Sequence, residues 1–388
     1  CRDLGQRLVE MGYDMTLHIT FVTETYPPEV NGVAMTVGRL VDGLRLRGHR
    51  VNVIRPRQHR DDAGEAGELT VRGIPLPGYP DLRFGMPAGQ ALRRRWRAQR
   101  PDLVHVVTEG PLGWSAVLTA RKLGIPVTSG FHTNFDRYSV HYGMGWMRPA
   151  VSAYLRALHR RTQATLVPTE ALAADLAGEG IPGVRVVGRG VDTELFDPRR
   201  HSASLRKAWG VPLDGLAVLY VGRLAPEKNL DLARRAFAAI AAQRPDARMI
   251  WVGDGPARKG LEAAHPEHHF AGTRRAEDLA THYASADLFL FPSLTETYGN
   301  VVAEAMASGL PVVAYRSAAA AELIGDGFSG RTVAPGDEAA FIQAASQLAM
   351  FEEGRQSMAA EARRVILPKA WAGVVSRLES VLHEIRAA

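Results

Sequence analysis

Two glutamates eight residues apart, Glu296 and Glu304, carry the plainest chemical signal in this 388-residue chain. The stretch Ser293–Val313 follows an apolar run, Asp287–Pro292, that reads as a buried parallel strand. It turns through Thr297–Asn300 into a short helix and ends at Gly309-Leu-Pro311, before the next apolar strand. A strand leading through a polar turn into a helix aims free backbone N–H groups, and the positive end of the helix dipole, out of the carboxyl edge of the sheet. Ligands of open α/β sheets bind at that edge. Eight residues at about 100° each make close to two helical turns, so Glu304 can share a side with Glu296, deeper in. Such an element would hold a phosphate on its N–H groups and sugar hydroxyls on its carboxylates.

Arg223 and Lys228 follow the first strand of the second half, beside a turn. A guanidinium and an ammonium there suit a diphosphate, although alone the pair equally describes solvated surface charge. Asn31-Gly32 stands at the matching position of the first half, where a glycine lets backbone approach a phosphate or sugar; an ordinary strand–helix turn is the alternative. His132 ends a strand among Thr133, Asn134 and Asp136, and could bond a sugar hydroxyl, move a proton or fill a core. Gly-x-Gly-x-x-Gly occurs at Gly178–Gly183 and Gly325–Gly330, but neither follows a strand and opens a helix as an NAD or FAD fingerprint must, and there is no Asp-x-Asp pair, the commonest carboxylate route to Mg²⁺ or Mn²⁺. The single cysteine, Cys1, excludes an intrachain disulfide framework and a Cys-based zinc site, and fits a reducing cytoplasm.

The elements that must position these groups alternate strand and helix throughout, which gives an α/β fold with parallel sheets. Strands are expected at Leu17–Thr23, Val51–Ile54, Leu103–Val107 and Pro126–Ser129, and again from Leu216–Val221 and Met249–Val252 onward. Gly73–Pro87, rich in proline, reads as irregular, and Glu338–Phe351 and Trp371–Ile385 as the closing helices. The polar stretch after Gly190-Val-Asp192 reads as a domain junction. Two sheets of similar size then flank a cleft. Met15 reads as a natural start, with Cys1–Asp14 as an upstream extension.

Hydrophobic residues at 46% and charged residues at 23% are those of a soluble globular enzyme, and no apolar run reaches membrane-span length. The net charge of +6 lies entirely in the first half, where residues 1–195 hold 25 Lys+Arg against 19 Asp+Glu. Two basic segments, Arg93-Arg-Arg-Trp-Arg97 and Trp146–Arg161, could rest on an anionic membrane face, or be solvated helix faces with an apolar side in the core. No nucleic-acid recognition motif accompanies them.

Taken together, Glu24-Thr-Tyr-Pro-Pro-Glu-Val-Asn-Gly32, Gly48-His49, Gly130-Phe-His132, Gly190-Val-Asp192, Gly222-Arg-Leu-Ala-Pro-Glu-Lys228, Val252-Gly-Asp-Gly255 and the Glu296/Glu304 spacing form a recognisable set. By these motifs the chain, from Leu17 on, resembles a retaining family-4 glycosyltransferase of the GT-B fold, nearest to bacterial GDP-mannose-dependent α-mannosyltransferases and glycolipid synthases. The resemblance implies two Rossmann-like domains facing across a cleft. An acceptor domain would span 15–190, a nucleotide-sugar donor domain 191–370, and the helix 371–388 would pack back on the first. It implies that Arg223 and Lys228 bind the donor diphosphate and that Glu304 holds the ribose hydroxyls. Glu296, with Thr297, Tyr298, Gly299 and Asn300, would hold the donor sugar. Gly32 would approach the diphosphate, and His132 a hydroxyl of the transferred sugar.

The implied catalytic set is therefore His132, Arg223, Lys228 and Glu296. The reaction is transfer with retention through a front-face, oxocarbenium-like step, with no metal and no other cofactor. The implied partners are a nucleotide sugar and a lipid or glycolipid acceptor, with no nucleic acid, in a cytoplasmic protein that touches the inner face of the membrane. A UDP-sugar-dependent glycolipid synthase of glucosyl or sulfoquinovosyl type, a nucleotide-sugar 2-epimerase and a non-catalytic nucleotide-sugar binder are the alternatives.

Overall fold

A computed structural model of the chain describes residues 16–131, 148–294, 296 and 298–387, apart from Val30, Arg60, Pro77 and Gly78. The described residues divide into two compact units, 16–131 with 149–187 and 375–387, and 188–374 with residue 148.

The first unit is built on strands β1 (His18–Val22), β2 (Arg50–Pro56), β3 (Glu68–Val71), β4 (Gly73–Leu76), β5 (Tyr79–Gly85), β6 (Leu103–Val106), β7 (Val127–Gly130), β8 (Ala164–Val167) and β9 (Val184–Val186). Seven of them form one parallel sheet in the order β3-β2-β1-β6-β7-β8-β9. The chain fills one side of β1 and then crosses to β6 on the other, so the sheet order reverses between β1 and β6. The expectation of irregular structure over Gly73–Pro87 is corrected here: β4 and β5 pair as an antiparallel two-stranded ribbon. Prolines are tolerated in it because each strand has an outer edge that donates to no partner.

The second unit repeats the plan with β10 (Ala217–Val221), β11 (Arg248–Val252), β12 (His269–Gly272), β13 (Leu288–Phe291), β14 (Val312–Tyr315) and β15 (Gly330–Val333), in the order β12-β11-β10-β13-β14-β15. Its reversal lies between β10 and β13. Along β10, Ala217, Leu219 and Val221 pack into one apolar core, while Val218 and Tyr220 pack into another. Both faces of the sheet are covered, which is why these strands read as unbroken apolar runs and not as alternating ones. Ala318–Leu323 and Glu352–Ile366 are helices that the sequence reading did not pick out.

Helix α1 (Gly32–Leu46) follows β1. Asn31, extended at φ −146°, is its N-cap, and its side-chain oxygen accepts from the N–H groups of Val33 (3.1 Å) and Ala34 (2.8 Å). The helix ends at Gly48 (φ +91°), and the next residue, His49, is a tie point. The Leu17 N–H donates to His49 Nδ1 (3.1 Å), so Nε2 carries the ring hydrogen and donates it to Glu379 Oε1 (2.8 Å). A nitrogen bearing hydrogen is no metal ligand, so where His49, Glu379 and His383 converge, His49 and Glu379 form a hydrogen-bonded clamp and His383 adds a ring contact 5.8 Å from His49.

Glu379 belongs to the last helix, described over Trp371–Ala387, and also accepts from Arg47 Nε (2.8 Å). Burial alone would push its carboxyl up; the bonds from Arg47 and His49 outweigh that and hold it below the usual range. Gly43 of α1 lets this helix approach, since a Cβ there would lie 2.5 Å from Val375 Cγ2.

Glu379→Ala leaves the buried His49 N–H without its acceptor, a loss of about 1–3 kcal/mol. Calorimetry should show the first unit melting earlier, with faster amide exchange at Leu17; an unchanged transition would show that the clamp contributes nothing.

Candidate active site

In the second unit the polar groups collect beyond the carboxyl ends of β10 and β13, where the sheet order reverses. After β10 the chain runs alongside the loop that follows β11, with Gly222 N–H donating to Val252 O (3.0 Å) and Leu224 N–H to Asp254 O (2.9 Å). A Cβ on Gly253 would fall 1.9 Å from Gly222 O, and one on Gly255 2.4 Å from Leu224 O. Val252-Gly-Asp-Gly255 is therefore glycine-rich because two loops lie backbone to backbone. The first loop closes in a single 3₁₀ turn, Pro226–Lys228, and Asn229 in the left-handed region (φ 54°) starts helix α2 (Leu230–Ala241). Asn229 Nδ2 also reaches Pro292 O (3.4 Å), beyond β13.

That junction brings Lys228 to Glu296: its ammonium pairs with Glu296 Oε1, which also accepts from Ser293 Oγ (2.8 Å). Gly299 at φ +88° caps helix α3 (Asn300–Ala307) with no side-chain partner for its first amides. The Asn300 Oδ1 is buried there without a hydrogen-bond partner among the described residues. Tyr298 is buried; its hydroxyl donates to Arg189 O (3.3 Å), and the Arg189 guanidinium lies 5.8 Å over its ring. Burial pushes the Arg189 guanidinium down to about 10, against the pull of Tyr298 and Glu296. One face of α3 carries Glu304, which accepts from Tyr283 OH (2.9 Å). Burial lifts its carboxyl to about 7 despite that bond. Arg223 stands two residues past β10.

Of the residues singled out from the sequence, Lys228 and Glu296 thus touch, while Glu304 bonds a tyrosine that the sequence did not flag. Gly32 is the first residue of α1, and its neighbour Asn31 is accounted for as the cap. His132 and Thr297 lie outside the described residues. Arg189 was passed over, although a cation between two glycines beyond a strand was a readable signal.

The first unit holds a second buried polar group at its own reversal. Glu24 stands two residues past β1, and Glu109 three residues past β6. The Glu24 N–H donates to Thr108 Oγ1 (2.8 Å), and its Oε1 accepts from Leu112 N–H (3.1 Å) in the first turn of helix 111–122. A Cβ at Gly110 would lie 2.0 Å from Glu24 Oε2, so only glycine leaves room. Burial, with a smaller push from Glu109, raises the Glu24 carboxyl to about 8. Glu109 is 3% exposed, and neither of its oxygens has a hydrogen-bond partner among the described residues.

Residues 30–195 match the family model described as Glycosyltransferase Family 4, and residues 215–350 the one described as Glycosyl transferases group 1. The chain is similar to a GDP-mannose-dependent alpha-mannosyltransferase of Mycobacterium tuberculosis, 34% identical over 380 residues that cover 95% of this chain and 97% of the relative. It is also similar to an alpha-monoglucosyldiacylglycerol synthase of Streptococcus pneumoniae, 28% identical over 331 residues, 81% of this chain and 74% of the relative. Among solved structures, sucrose-phosphate synthase of Thermosynechococcus elongatus superposes with a TM-score of 0.78 over 95% of this chain and 99% of that one, at 19% identity.

The raised Glu304 makes the fold pH-sensitive in a defined direction. Between its ordinary value of 4.5 and about 7, the unfolded chain has lost this proton and the folded one still holds it, so stability falls as pH rises and levels off above 7. Glu304→Gln cannot ionise. Scanning fluorimetry should find its melting temperature close to wild type at pH 4.5 and above wild type at pH 8; an equal offset at both would refute the assignment.

Proposed function

The chain belongs to glycosyltransferase family 4 and has the GT-B fold, and on that premise we propose that it moves mannose from GDP-mannose to a hydroxyl of a membrane-associated lipid or glycolipid. The observation that carries this reading is the end-to-end similarity to a GDP-mannose-dependent alpha-mannosyltransferase. The protein is a hexosyltransferase; the donor, the acceptor and the residue roles below are the proposal.

Bond breaking at the anomeric carbon puts negative charge on the departing diphosphate. Arg223 and Lys228 meet that charge together with the free amides at the start of α3, fixed donors that need no reorganisation as the charge develops. Glu296 holds Lys228 on station and, with Tyr298, Gly299 and Asn300, faces the sugar. Glu304 takes the ribose hydroxyls; hydrogen bonds from them stabilise its ionised form and draw its proton affinity back down. The diphosphate leaves on the face by which the acceptor enters and takes up the acceptor proton, so configuration is retained. Two cations supply the charge neutralisation that a divalent ion would otherwise provide, and the reaction runs without metal.

On the first unit, helix 89–98 buries Leu92 and Trp96 while Arg93, Arg94 and Arg97 are exposed. We assign this basic face to an anionic membrane, at about 1 kcal/mol per cation near the surface. No helix among the described residues is long and apolar enough to cross a membrane. A UDP-sugar glycolipid synthase is the second reading, favoured by the similarity to the monoglucosyldiacylglycerol synthase.

A thermal-shift panel separates the two, because a ligand at about 100 times its Kd adds about 2.7 kcal/mol. GDP-mannose and GDP should give the largest shifts; a larger shift with UDP-glucose would replace the first reading by the second. Lys228→Ala should lower kcat/KM by about 10²–10³-fold, the usual effect of deleting one preorganised donor to developing charge. Replacing Arg93, Arg94 and Arg97 by glutamate should abolish co-sedimentation with phosphatidylglycerol vesicles at low salt. Undiminished binding would remove the membrane assignment.

A further inference from the structure

The glutamate at the reversal of the first sheet has no work in the reaction just described, yet its surroundings are built with care. Glu109 is 3% exposed and neither carboxylate oxygen has a hydrogen-bond partner among the described residues. Beside it, His159 is fully buried; its Nε2 has no hydrogen-bond partner among the described residues and lies 3.6 Å from Glu109 Oε1, within ion-pair distance but beyond hydrogen-bond reach. The other ring nitrogen, Nδ1, is anchored on Ser129 Oγ (2.8 Å). Tyr154 OH fixes the Glu109 carbonyl (2.5 Å), and its ring stacks on Trp114 with centroids 5.1 Å apart. Arg161 lies over the same indole at 5.3 Å.

A buried carboxylate without donors is among the most costly groups a fold can keep, and native structures keep few of them without a role. Three ligand classes could supply the donors. Nothing here points to a divalent ion: among the described residues no group of three histidine or acidic ligand atoms within 4.8 Å includes Glu109 or His159. An ammonium group would need a site of net negative charge, whereas Glu24 is held largely protonated by burial and the His159 ring already faces Glu109. Hydroxyl groups remain. A carboxylate with both oxygens open accepts from two adjacent hydroxyls, and a neutral Glu24 and the His159 ring can each donate or accept. The Tyr154 ring, stacked on Trp114 on one side and 37% exposed, offers its outer face, of the kind on which the C–H side of a sugar ring rests.

The location agrees. In the second sheet the proposed donor groups stand beyond β10 and β13, at the order reversal; Glu24 and Glu109 stand beyond β1 and β6, the corresponding point of the first sheet. Open α/β sheets take ligands at such points.

We propose that Glu109, with Glu24 and His159, forms a hydroxyl-binding subsite that holds adjacent hydroxyls of a sugar or polyol headgroup on the acceptor. As an acceptor subsite this rests on the transferase reading; as a polyol site it does not, and the experiment separates the two.

The test uses the full chain and two probes, methyl α-D-mannopyranoside and glycerol, followed by saturation-transfer NMR with GDP present to occupy the nucleotide site. Wild type should give a signal with at least one probe, and Glu109→Gln, which keeps the volume and loses an acceptor, should lose most of it. A hydrogen bond to a charged group is worth about 1.5–3 kcal/mol, or roughly 10- to 150-fold in affinity. In transfer assays with diacylglycerol vesicles or their glycolipid products, the same variant should raise the acceptor KM by about tenfold or more while the nucleotide-sugar KM stays within about twofold. Because Glu109→Gln could disturb packing, Trp114→Ala provides a second variant outside the carboxylate cluster, expected to weaken the methyl mannoside signal more than the glycerol signal.

Equal signals for wild type and Glu109→Gln, no signal from wild type with either probe, or donor and acceptor KM values moving in parallel would each overturn the subsite. Polyol binding by a wild type that transfers from no nucleotide sugar would support the subsite and remove the transferase reading instead.

Discussion

Burial of both faces of each parallel sheet is the constraint on which the rest of this molecule depends. Strands such as β10 and β13 send successive side chains into two separate apolar cores, so a polar group within them would be stranded on either side. Chemistry is left to the places where the strands stop. Among those, the order reversal stands out, because there the loops on neighbouring strands run to opposite sides and leave a crevice at the sheet edge. Lys228 and Glu296 meet beyond one reversal; Glu24 and Glu109 stand beyond the other.

The groups gathered at these edges share an electrostatic condition. Glu304 and Glu24 are driven towards their neutral forms by burial, and Arg189 is pushed the same way from the cationic side. Each would be more comfortable in water. Such a site is stabilised by whatever ligand supplies hydrogen bonds and opposite charge, which couples occupancy to fold stability. The exception is the Lys228–Glu296 pair, whose partners satisfy each other and which therefore has its orientation set in advance.

Much of this was legible in the residues and some was not. Alternating apolar runs and turn signals gave the two α/β sheets, because fully buried parallel strands announce themselves as unbroken hydrophobic segments. The spacing of Glu296 and Glu304, and the cations after β10, led to the second sheet's edge because strand, turn and helix there are adjacent in sequence. What could not be read was anything set by contacts distant along the chain. Gly253 and Gly255 stand in a motif of the resemblance, and their reason is backbone packing against residues about thirty positions earlier. Asn31 looks like a ligand-binding residue and is a helix cap. Glu109 and His159, fifty residues apart, carry no local motif at all. The ribbon β4–β5 was hidden by its prolines, which an edge ribbon accommodates and an interior strand does not.

The last helix has a consequence for how the protein is made. Residues 375–387 are packed into a unit whose other parts end at residue 187, and the buried imidazole of His49 finds its carboxylate on Glu379. On the ribosome, that imidazole and the groove opened by Gly43 must wait until nearly two hundred further residues have emerged, by which time the second unit has its whole sequence available to fold. The first unit begins early and finishes late. A chain broken off before this helix would expose an apolar groove and an unsatisfied buried polar group, the features by which chaperones and proteases sort incomplete products. The clamp is thus the last contact of the first unit that synthesis makes available.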